Sequence, residues 1–187
     1  MGVLIAMDTF GVREALRGAA GPCVVTMGTF DGVHHGHRAL VRSTSALASA
    51  RGLATVAVTL ARRPEQVFRP DALPEICSLP ERVARLRAAG ADRVVILPFD
   101  RTVAALDYRV FAALLTDELQ MRTLVVGEDF AFGHRRLGTP ARLRELGIDV
   151  VEHPLIPNAA GTGKASSSAI RAAVAAGVPM DSAVAAA

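Results

Sequence analysis

The side chains best suited to chemistry lie in residues 28–37, Gly-Thr-Phe-Asp-Gly-Val-His-His-Gly-His. This stretch follows an apolar run over residues 23–27 and precedes a helical pattern over residues 38–51. A strand, a glycine-rich turn and a helix in this order form a natural phosphate site, because the first amides of a helix are unpaired and its dipole presents a positive end. His34 and His37 can both donate hydrogen bonds to one anion. The stretch therefore predicts a site for the phosphate of a nucleotide.

Residues 28–37 resemble the nucleotide-binding signature of the HIGH-type nucleotidylyltransferases, in the form typical of the bacterial FAD synthetase adenylyltransferase module. The resemblance implies that His34 and His37 are catalytic. It also implies a group of nucleotide-binding residues in the same turn: Gly28, Thr29, Phe30, Asp31 and Gly36. The alternative is a glycine-rich turn with incidental surface histidines.

A second motif, residues 127–134, reads Gly-Glu-Asp-Phe-Ala-Phe-Gly-His and resembles the Gly-Glu-Asn/Asp-Phe-x-Phe-Gly stretch of the same module. A carboxylate beside two phenylalanines suits a flat ring held by stacking and a polar group that orients an amine or a phosphate-bound metal. Asp129 and Phe132 are therefore candidates to bind the acceptor. The alternative is a core aromatic pair beside a turn carboxylate.

A third motif, residues 166–171, reads Ser-Ser-Ser-Ala-Ile-Arg and resembles the module's Ser-Ser-Thr-x-Ile-Arg. Hydroxyls at Ser167 and Ser168, together with the first amides of a helix, would hold phosphate oxygens. Arg171, one turn further on, would add a charge-assisted fork at the leaving end of a triphosphate, which makes it the third catalytic candidate. The alternative is an ordinary serine N-cap with a solvent-facing arginine.

One segment departs from the module's pattern. Where the module carries Thr-Phe-Asp/Glu-Pro-His-Pro, residues 59–64 read Thr-Leu-Ala-Arg-Arg-Pro. Three aromatic or cyclic residues remain as candidates to contact a flat ring: Pro64, Phe68 and Tyr108. Arg62 and Arg63 would add two positive charges that favour a more anionic acceptor, unless they belong to a solvated loop.

Composition narrows the class of protein. The chain has 187 residues, 51% of them hydrophobic, which is enough for one folded domain over 1–187 with a core about 23–177 and a C-terminal tail that frays. No apolar run approaches the roughly 20 residues that span a bilayer. Two cysteines make neither a disulfide framework nor a metal cage, and a net charge of +3 without aromatic-interleaved basic patches predicts no nucleic-acid partner. We expect a cytoplasmic protein.

The order of elements predicts an α/β fold. Strand-like runs cover residues 23–27, 53–60, 93–97, 123–126 and 148–151, and helical patterns cover 38–51, 80–89, 108–119, 140–146 and 167–176. Continuous apolar strands indicate a mostly parallel, Rossmann-like, doubly wound sheet of about five strands, whose ligands bind at the carboxyl ends of the strands. The G-x-G-x-x-G fingerprint is absent, so an NAD-type dehydrogenase is not supported. Residues 161–164 resemble a Walker loop without its Ser/Thr, and we interpret them as a mobile loop.

The resemblance implies transfer of AMP from ATP to a phosphate monoester, FMN above all, giving FAD and pyrophosphate. Mg²⁺ is expected on the substrate phosphates, since the chain shows no carboxylate cage. Two alternatives stay open: a nucleotidylyltransferase that uses CTP or another phosphorylated acceptor, and a nucleotide- or flavin-binding protein without turnover. The resemblance ends near residue 171, so a riboflavin kinase domain, present in most members of the family, is not expected. The oligomeric state stays open.

Overall fold

The computed structural model describes residues 9–69, 72, 74–154 and 166–186. Residues 161–164, the Walker-like segment, lie outside this part of the chain. The described strands have these bounds: β1 Cys23–Met27, β2 Ala54–Leu60, β3 Arg93–Leu97, β4 Met121–Gly127 and β5 Asp149–His153. They form one five-stranded sheet in the order β3-β2-β1-β4-β5, and every neighbouring pair is parallel. This confirms the predicted Rossmann-like α/β fold.

Helices surround the sheet. In the described part of the chain they have these bounds: α1 Phe10–Arg17, α2 His35–Ala50, α3 Pro64–Phe68, α4 Leu79–Ala88, α5 Arg101–Ala104, α6 Tyr108–Asp117, α7 Pro140–Glu145, α8 Ser167–Ala175 and α9 Met180–Ala186. The sequence predicts α2, α4, α6, α7 and α8 to within three residues at either end. It does not predict the other four.

The C-terminal tail contains a helix that the sequence does not predict. Helix α9 forms there, and its Ala183 and Val184 are buried against Ile170 of α8 and Ile76 of the loop before α4. The alanine-rich sequence lacks a strong amphipathic pattern, so local propensity alone does not show the apolar contacts that stabilise this helix. That the tail frays stays a prediction.

Strand β1 is buried along its whole length because helices cover both faces of the sheet. Successive side chains of a strand point to opposite faces. Cys23, Val25 and Met27 accordingly join the larger apolar cluster, which includes residues of α1 and α6. Val24 packs on the other face with Ala48 of α2. This two-sided burial explains why the strand reads as a continuous apolar run.

The chain crosses the sheet at β1. It runs outward from β1 through β2 to β3, then returns to pair β4 with the free side of β1. The carboxyl ends of β1 and β4 are therefore neighbours at the topological switch point, where ligands bind in folds of this kind. Residues 28–37 and 127–134 follow these two ends. No helix in the described residues is long and apolar enough to cross a membrane.

Candidate functional site

A cavity of about 910 Å³ opens at the carboxyl edge of the sheet. The last residue of each strand contributes to its wall: Met27, Leu60, Leu97, Gly127 and His153. Its volume lies in the range of about 300–1,000 Å³ that small-molecule sites occupy. The cavity therefore stands where the fold places ligands and has the size to hold them.

His34 and His37 line this cavity side by side. Their rings are stacked, with centroids 3.7 Å apart and planes at 22°, and Phe30 meets the His37 ring edge-on at 5.2 Å. His34 is the N-cap of α2, with extended backbone at φ −63° and ψ 178°. Both imidazoles therefore lie at the positive end of the α2 dipole and can donate to an anion there.

Left-handed backbone shapes the turn before α2. Phe30 and Val33 have φ angles of 50° and 45°, and Gly32 has 81°. Arg38 and Arg85 support this turn, because Nη1 of each donates a 2.9 Å hydrogen bond to the carbonyl of Val33 and Gly32, respectively. The turn is thus anchored by α2 and α4, which places His34 on the cavity wall.

The second motif supplies the wall on the β4 side. Asp129, Phe130 and Phe132 line the cavity, and the two phenylalanine rings lie 5.8 Å apart. Phe132 and Gly138 exchange two backbone hydrogen bonds, of 3.3 and 2.9 Å, that close the loop between them. A flat ring could stack against these aromatic groups while Asp129 contacts its polar edge. All residues of the motif except Glu128 therefore line the cavity, and their contact with an acceptor stays a prediction.

Tyr108 has a different place from the one that the sequence predicts. It is buried, with 4% of its surface exposed, and it is not among the cavity-lining residues of the described chain. Gly133 and Gly138 lie so close to it that a Cβ on either would come within 2.8 Å of Tyr108 atoms. Tyr108 therefore supports the second motif from beneath instead of contacting an acceptor.

The altered segment divides into two parts. Pro64 and Phe68 line the cavity, with Phe68 49% exposed at its mouth. Arg62 is exposed and Arg63 is buried, and among the described residues neither belongs to the cavity lining. The guanidinium groups of Arg62 and Arg63, which the sequence predicts at the acceptor site, therefore lie outside the cavity wall.

Three other arginines line the cavity, and the sequence argument missed them: Arg101, Arg135 and Arg136. The Arg101 guanidinium lies 5.6 Å from the centroid of the Phe68 ring, and Arg136 Nη2 donates to the Asp129 carbonyl at 3.0 Å. Arg135 and Arg136 directly follow the second motif, so their place in the sequence could have identified them as candidate site residues. Arg101 carries no comparable sequence signal.

Asp31 organises a buried polar cluster next to the cavity. Its Oδ1 accepts from the Ile76 amide and its Oδ2 from Arg171 Nη1, both at 2.8 Å, and Arg63 Nε lies 3.5 Å from Oδ2. The Ser167 hydroxyl donates to the Asp31 carbonyl at 2.9 Å. We call these five residues the Asp31 cluster. It joins the turn before α2 to α8 and to the loop before α4.

Only some residues of the third motif line the cavity. Ser166 and Ser167 line the cavity, whereas in the described structure Ser168 is exposed and Arg171 and Asp31 are absent from the cavity wall. Ser166 acts as N-cap of α8, since its Oγ accepts from the Ala169 amide at 3.2 Å. By contrast, the predicted nucleotide residues of the first motif other than Asp31 all line the cavity: Gly28, Thr29, Phe30 and Gly36.

The cavity offers little to a metal ion by itself. Among the described residues no three His, Cys, Asp or Glu side chains are grouped as a metal site, and Asp129 is the acidic residue of the cavity wall. This donor set fits a divalent ion that arrives on a nucleotide and keeps waters, as Mg²⁺ does.

The residues that form this site lie in a region that is similar to known proteins. The FAD synthetase family profile matches residues 17–169. The chain belongs to the FAD synthetase family. A relative in Escherichia coli K12, a bifunctional riboflavin kinase/FMN adenylyltransferase, is 34% identical over 141 residues, which are 74% of this chain and 45% of that protein. The chain thus spans about half the length of the first curated relatives that it matches.

Two further proteins are similar to this chain. A Geobacillus thermodenitrificans protein, a putative bifunctional riboflavin kinase/FMN adenylyltransferase, is 36% identical over 134 residues, 71% of this chain and 73% of that protein. A crystal structure titled macrolide-efflux protein from Streptococcus pneumoniae superposes with a TM-score of 0.75 at 28% identity, covering 84% of this chain and 53% of that one. The family profile spans both the turn before α2 and the second motif, so both walls of the cavity lie in the shared region.

Proposed function

We propose that this protein transfers AMP from ATP to FMN, giving FAD and pyrophosphate. The observation that carries the proposal is the stacked pair His34 and His37, which lines a ligand-sized cavity together with Asp129 and two phenylalanines. Membership of the FAD synthetase family supports it, as do the relatives named FMN adenylyltransferase. We infer a cytoplasmic enzyme, and this location stays a prediction.

The reaction is a direct displacement at phosphorus. An oxygen of the FMN phosphate attacks the α-phosphorus of ATP in line with the bridging oxygen to the β-phosphate. A P–O bond to FMN forms as the α–β P–O bond breaks, and the electron pair leaves with pyrophosphate. Catalysis is then positioning plus stabilisation of charge, and His34 and His37 donate to oxygens of the α- and β-phosphates as that charge develops.

The acceptor binds toward the aromatic wall. Phe132, Phe68 and Pro64 offer apolar surfaces for the isoalloxazine ring, with Asp129 at its polar edge. Two of the three described cavity-lining arginines, Arg101 and Arg136, are suited to hold the acceptor phosphate because a guanidinium matches phosphate geometry. A divalent ion, for which Mg²⁺ is our proposal, would neutralise charge on the triphosphate when it binds.

Arg171 positions the site in this proposal. Its Nη1 donates to buried Asp31 at 2.8 Å, and its neighbour Ser167 reaches both the cavity wall and the Asp31 carbonyl. Arg171 therefore holds the start of α8 against the turn that carries His34. We assign the phosphate contact to the Ser166 hydroxyl and to the first amides of α8, because the single O–H of Ser167 already donates to the Asp31 carbonyl.

The hypothesis of an acceptor more anionic than FMN has lost its main support. That alternative depended on Arg62 and Arg63, and the structure describes one as exposed and the other as part of the Asp31 cluster. Arg101, Arg135 and Arg136 are suited to a phosphate monoester as well as to a larger anion, so they do not favour the alternative.

A substrate screen tests the proposed function. ATP and CTP are each offered with FMN, with riboflavin and with a sugar phosphate, and both pyrophosphate and the flavin product are measured. We expect pyrophosphate and FAD in equal amounts from ATP and FMN, and no pyrophosphate from ATP and riboflavin, which lacks the attacking phosphate. Faster turnover of another phosphate monoester would replace FMN as the acceptor. Tight binding of FMN and ATP without release of pyrophosphate would indicate a nucleotide- and flavin-binding protein without turnover.

A further inference from the structure

A second cavity, of about 410 Å³, lies between helices α2, α4 and α9. In the described structure it shares no lining residue with the large cavity. Three arginines surround it: Arg38, Arg42 and Arg85. The rest of its lining is aliphatic: Val33, Ala88, Ala89 and Val184. The cavity thus combines a cationic rim with an apolar floor.

The positive charge of this rim is not balanced by the described residues. Arg85 Nη2 pairs with Glu81 at 2.7 Å, whereas Arg38 and Arg42 form no ion pair in the part of the chain that the structure describes. Three guanidiniums against one carboxylate leave two positive charges at the cavity. Burial lowers the pKa of Arg38, and the neighbouring charges of Arg42 and Arg85 lower it further. Like charges held together in this way attract an anion.

The three arginines have N–H donors that their described hydrogen bonds do not use. A guanidinium has five N–H donors. The described bonds use one of them in Arg38, for the Val33 carbonyl, and two in Arg85, for the Gly32 carbonyl and Glu81. Arg42 is exposed and makes no described hydrogen bond. Donors from two helices can therefore converge on one anion.

We propose that this second cavity binds a phosphate dianion, carried by a small organic molecule whose apolar part rests on the exposed Ala88 beside Val184. The planar forks of the three arginines match the oxygens of a phosphate. The volume exceeds what inorganic phosphate alone fills and lies within the range of small-molecule sites. Free phosphate presents the same chemistry without the apolar contact, and the experiment separates these two sources.

The test is a titration of the full chain, at about 0.15 M salt to screen exposed charges, followed by methyl NMR. The ligands are phenyl phosphate, inorganic phosphate and phenol. The Val184 methyl groups report on the second cavity, and those of Val103 report on the large one. We expect phenyl phosphate to shift the Val184 signals with saturation, and phenol to leave them in place. Weaker saturation by inorganic phosphate identifies an organic phosphate as the ligand class, and equal saturation identifies free phosphate.

Two variants of matched charge control this result. Arg42→Glu should weaken phenyl phosphate at Val184 by about tenfold or more, the scale of one charge-assisted hydrogen bond. Arg87→Glu, on α4 but outside the cavity lining, should change it by less than about twofold because Arg87 makes no contact with the bound phosphate and its longer-range charge is screened. Equal weakening by both variants would overturn the proposal in favour of non-specific attraction. Shifts at Val103 without shifts at Val184 would overturn it as well.

Discussion

His37 shows how a single residue's chemistry can be tested in this site. Its ring faces the cavity and stacks on His34, whereas the adjacent His35 is exposed and lies outside the described cavity wall. We expect His37→Ala to lower kcat by about 10²-fold or more, the effect of losing one donor to developing charge. ATP affinity should change much less, because the hydrogen bond strengthens as charge builds.

Kinetics with ATP and FMN, together with equilibrium ATP binding, measure this. His35→Ala is the matched control and should keep kcat close to that of wild type. Normal turnover by His37→Ala would exclude the role assigned to this histidine, and an equal loss in both variants would indicate a general disturbance of the turn.

Arg171 distinguishes a positioning role from a direct phosphate contact. Removing it leaves the buried Asp31 carboxylate with Arg63 at 3.5 Å and the Ile76 amide at 2.8 Å. We expect Arg171→Ala to lower the free energy of unfolding by about 3 kcal/mol, the low end for a broken buried pair, because these partners remain. Since α8 is then less firmly held, the affinities for ATP and AMP should fall together.

Urea denaturation and equilibrium binding of both nucleotides measure these effects. Arg17→Ala removes an exposed partner of Glu118 and serves as the control, with a much smaller effect on stability expected. A variant of normal stability that loses ATP but keeps AMP would instead support the contact with the leaving pyrophosphate that the sequence predicts.

At the scale of elements, the loop after β4 is positioned by its packing against the first turn of α6. A Cβ at Gly133 would lie 2.8 Å from the Cα of Tyr108, and Gly133 has φ 75°. Gly147 has a similar φ of 81° but no atom within 4 Å of the added Cβ. The Gly133 backbone, with ψ 176°, lies in a region that is essentially restricted to glycine, where an alanine costs about 1–3 kcal/mol, and the positive φ of Gly147 also carries a cost of about 1–2 kcal/mol for alanine.

Gly133→Ala should therefore destabilise the protein by a further 1–3 kcal/mol or so compared with Gly147→Ala, because the added methyl overpacks against backbone. It should also weaken FMN binding, since Phe132 and Asp129 belong to the displaced loop. Urea denaturation and flavin fluorescence quenching check both effects. Equal effects of the two substitutions would show that the contact with Tyr108 can relax.

At the scale of the whole molecule, Cys23 reports on the core. Burial raises the pKa of this β1 thiol from its ordinary value of 9.0 to about 11, while Arg93 and Arg122 oppose the shift. The unfolded chain therefore loses the thiol proton first as pH rises. The stabilising contribution is complete below pH 9.0 and is lost as pH rises toward 11.

Urea denaturation from pH 7 to 11 tests this. The free energy of unfolding should fall more steeply above pH 9 in wild type than in Cys23→Ala, which has no thiol to titrate. The other alkaline groups are common to both proteins. Parallel curves would mean that the Cys23 thiol titrates alike in the folded and unfolded states.

The sequence by itself determined the local chemistry and the class of fold. Residues 28–37 predict a strand, a turn and a helix with His34 and His37 at the helix start, and the structure has this arrangement. The continuous apolar runs predict a parallel sheet, because a strand covered on both faces has no polar side. Both inferences depend on residues close together in the chain, where spacing and secondary structure are sufficient.

The tertiary structure alone decided which distant residues meet. Arg171 lies 140 positions from Asp31, and their pairing depends on how α8 returns to the turn before α2. Arg63 joins the same cluster, although its sequence neighbours Arg62 and Pro64 are exposed or face the cavity. Tyr108 is buried next to Gly133 and Gly138, which lie 25 and 30 positions later in the sequence. Such contacts follow from the order of the parallel strands, which brings segments distant in sequence together at one edge of the sheet. The type of a side chain alone is compatible with exposure or with burial, so it does not reveal these partners.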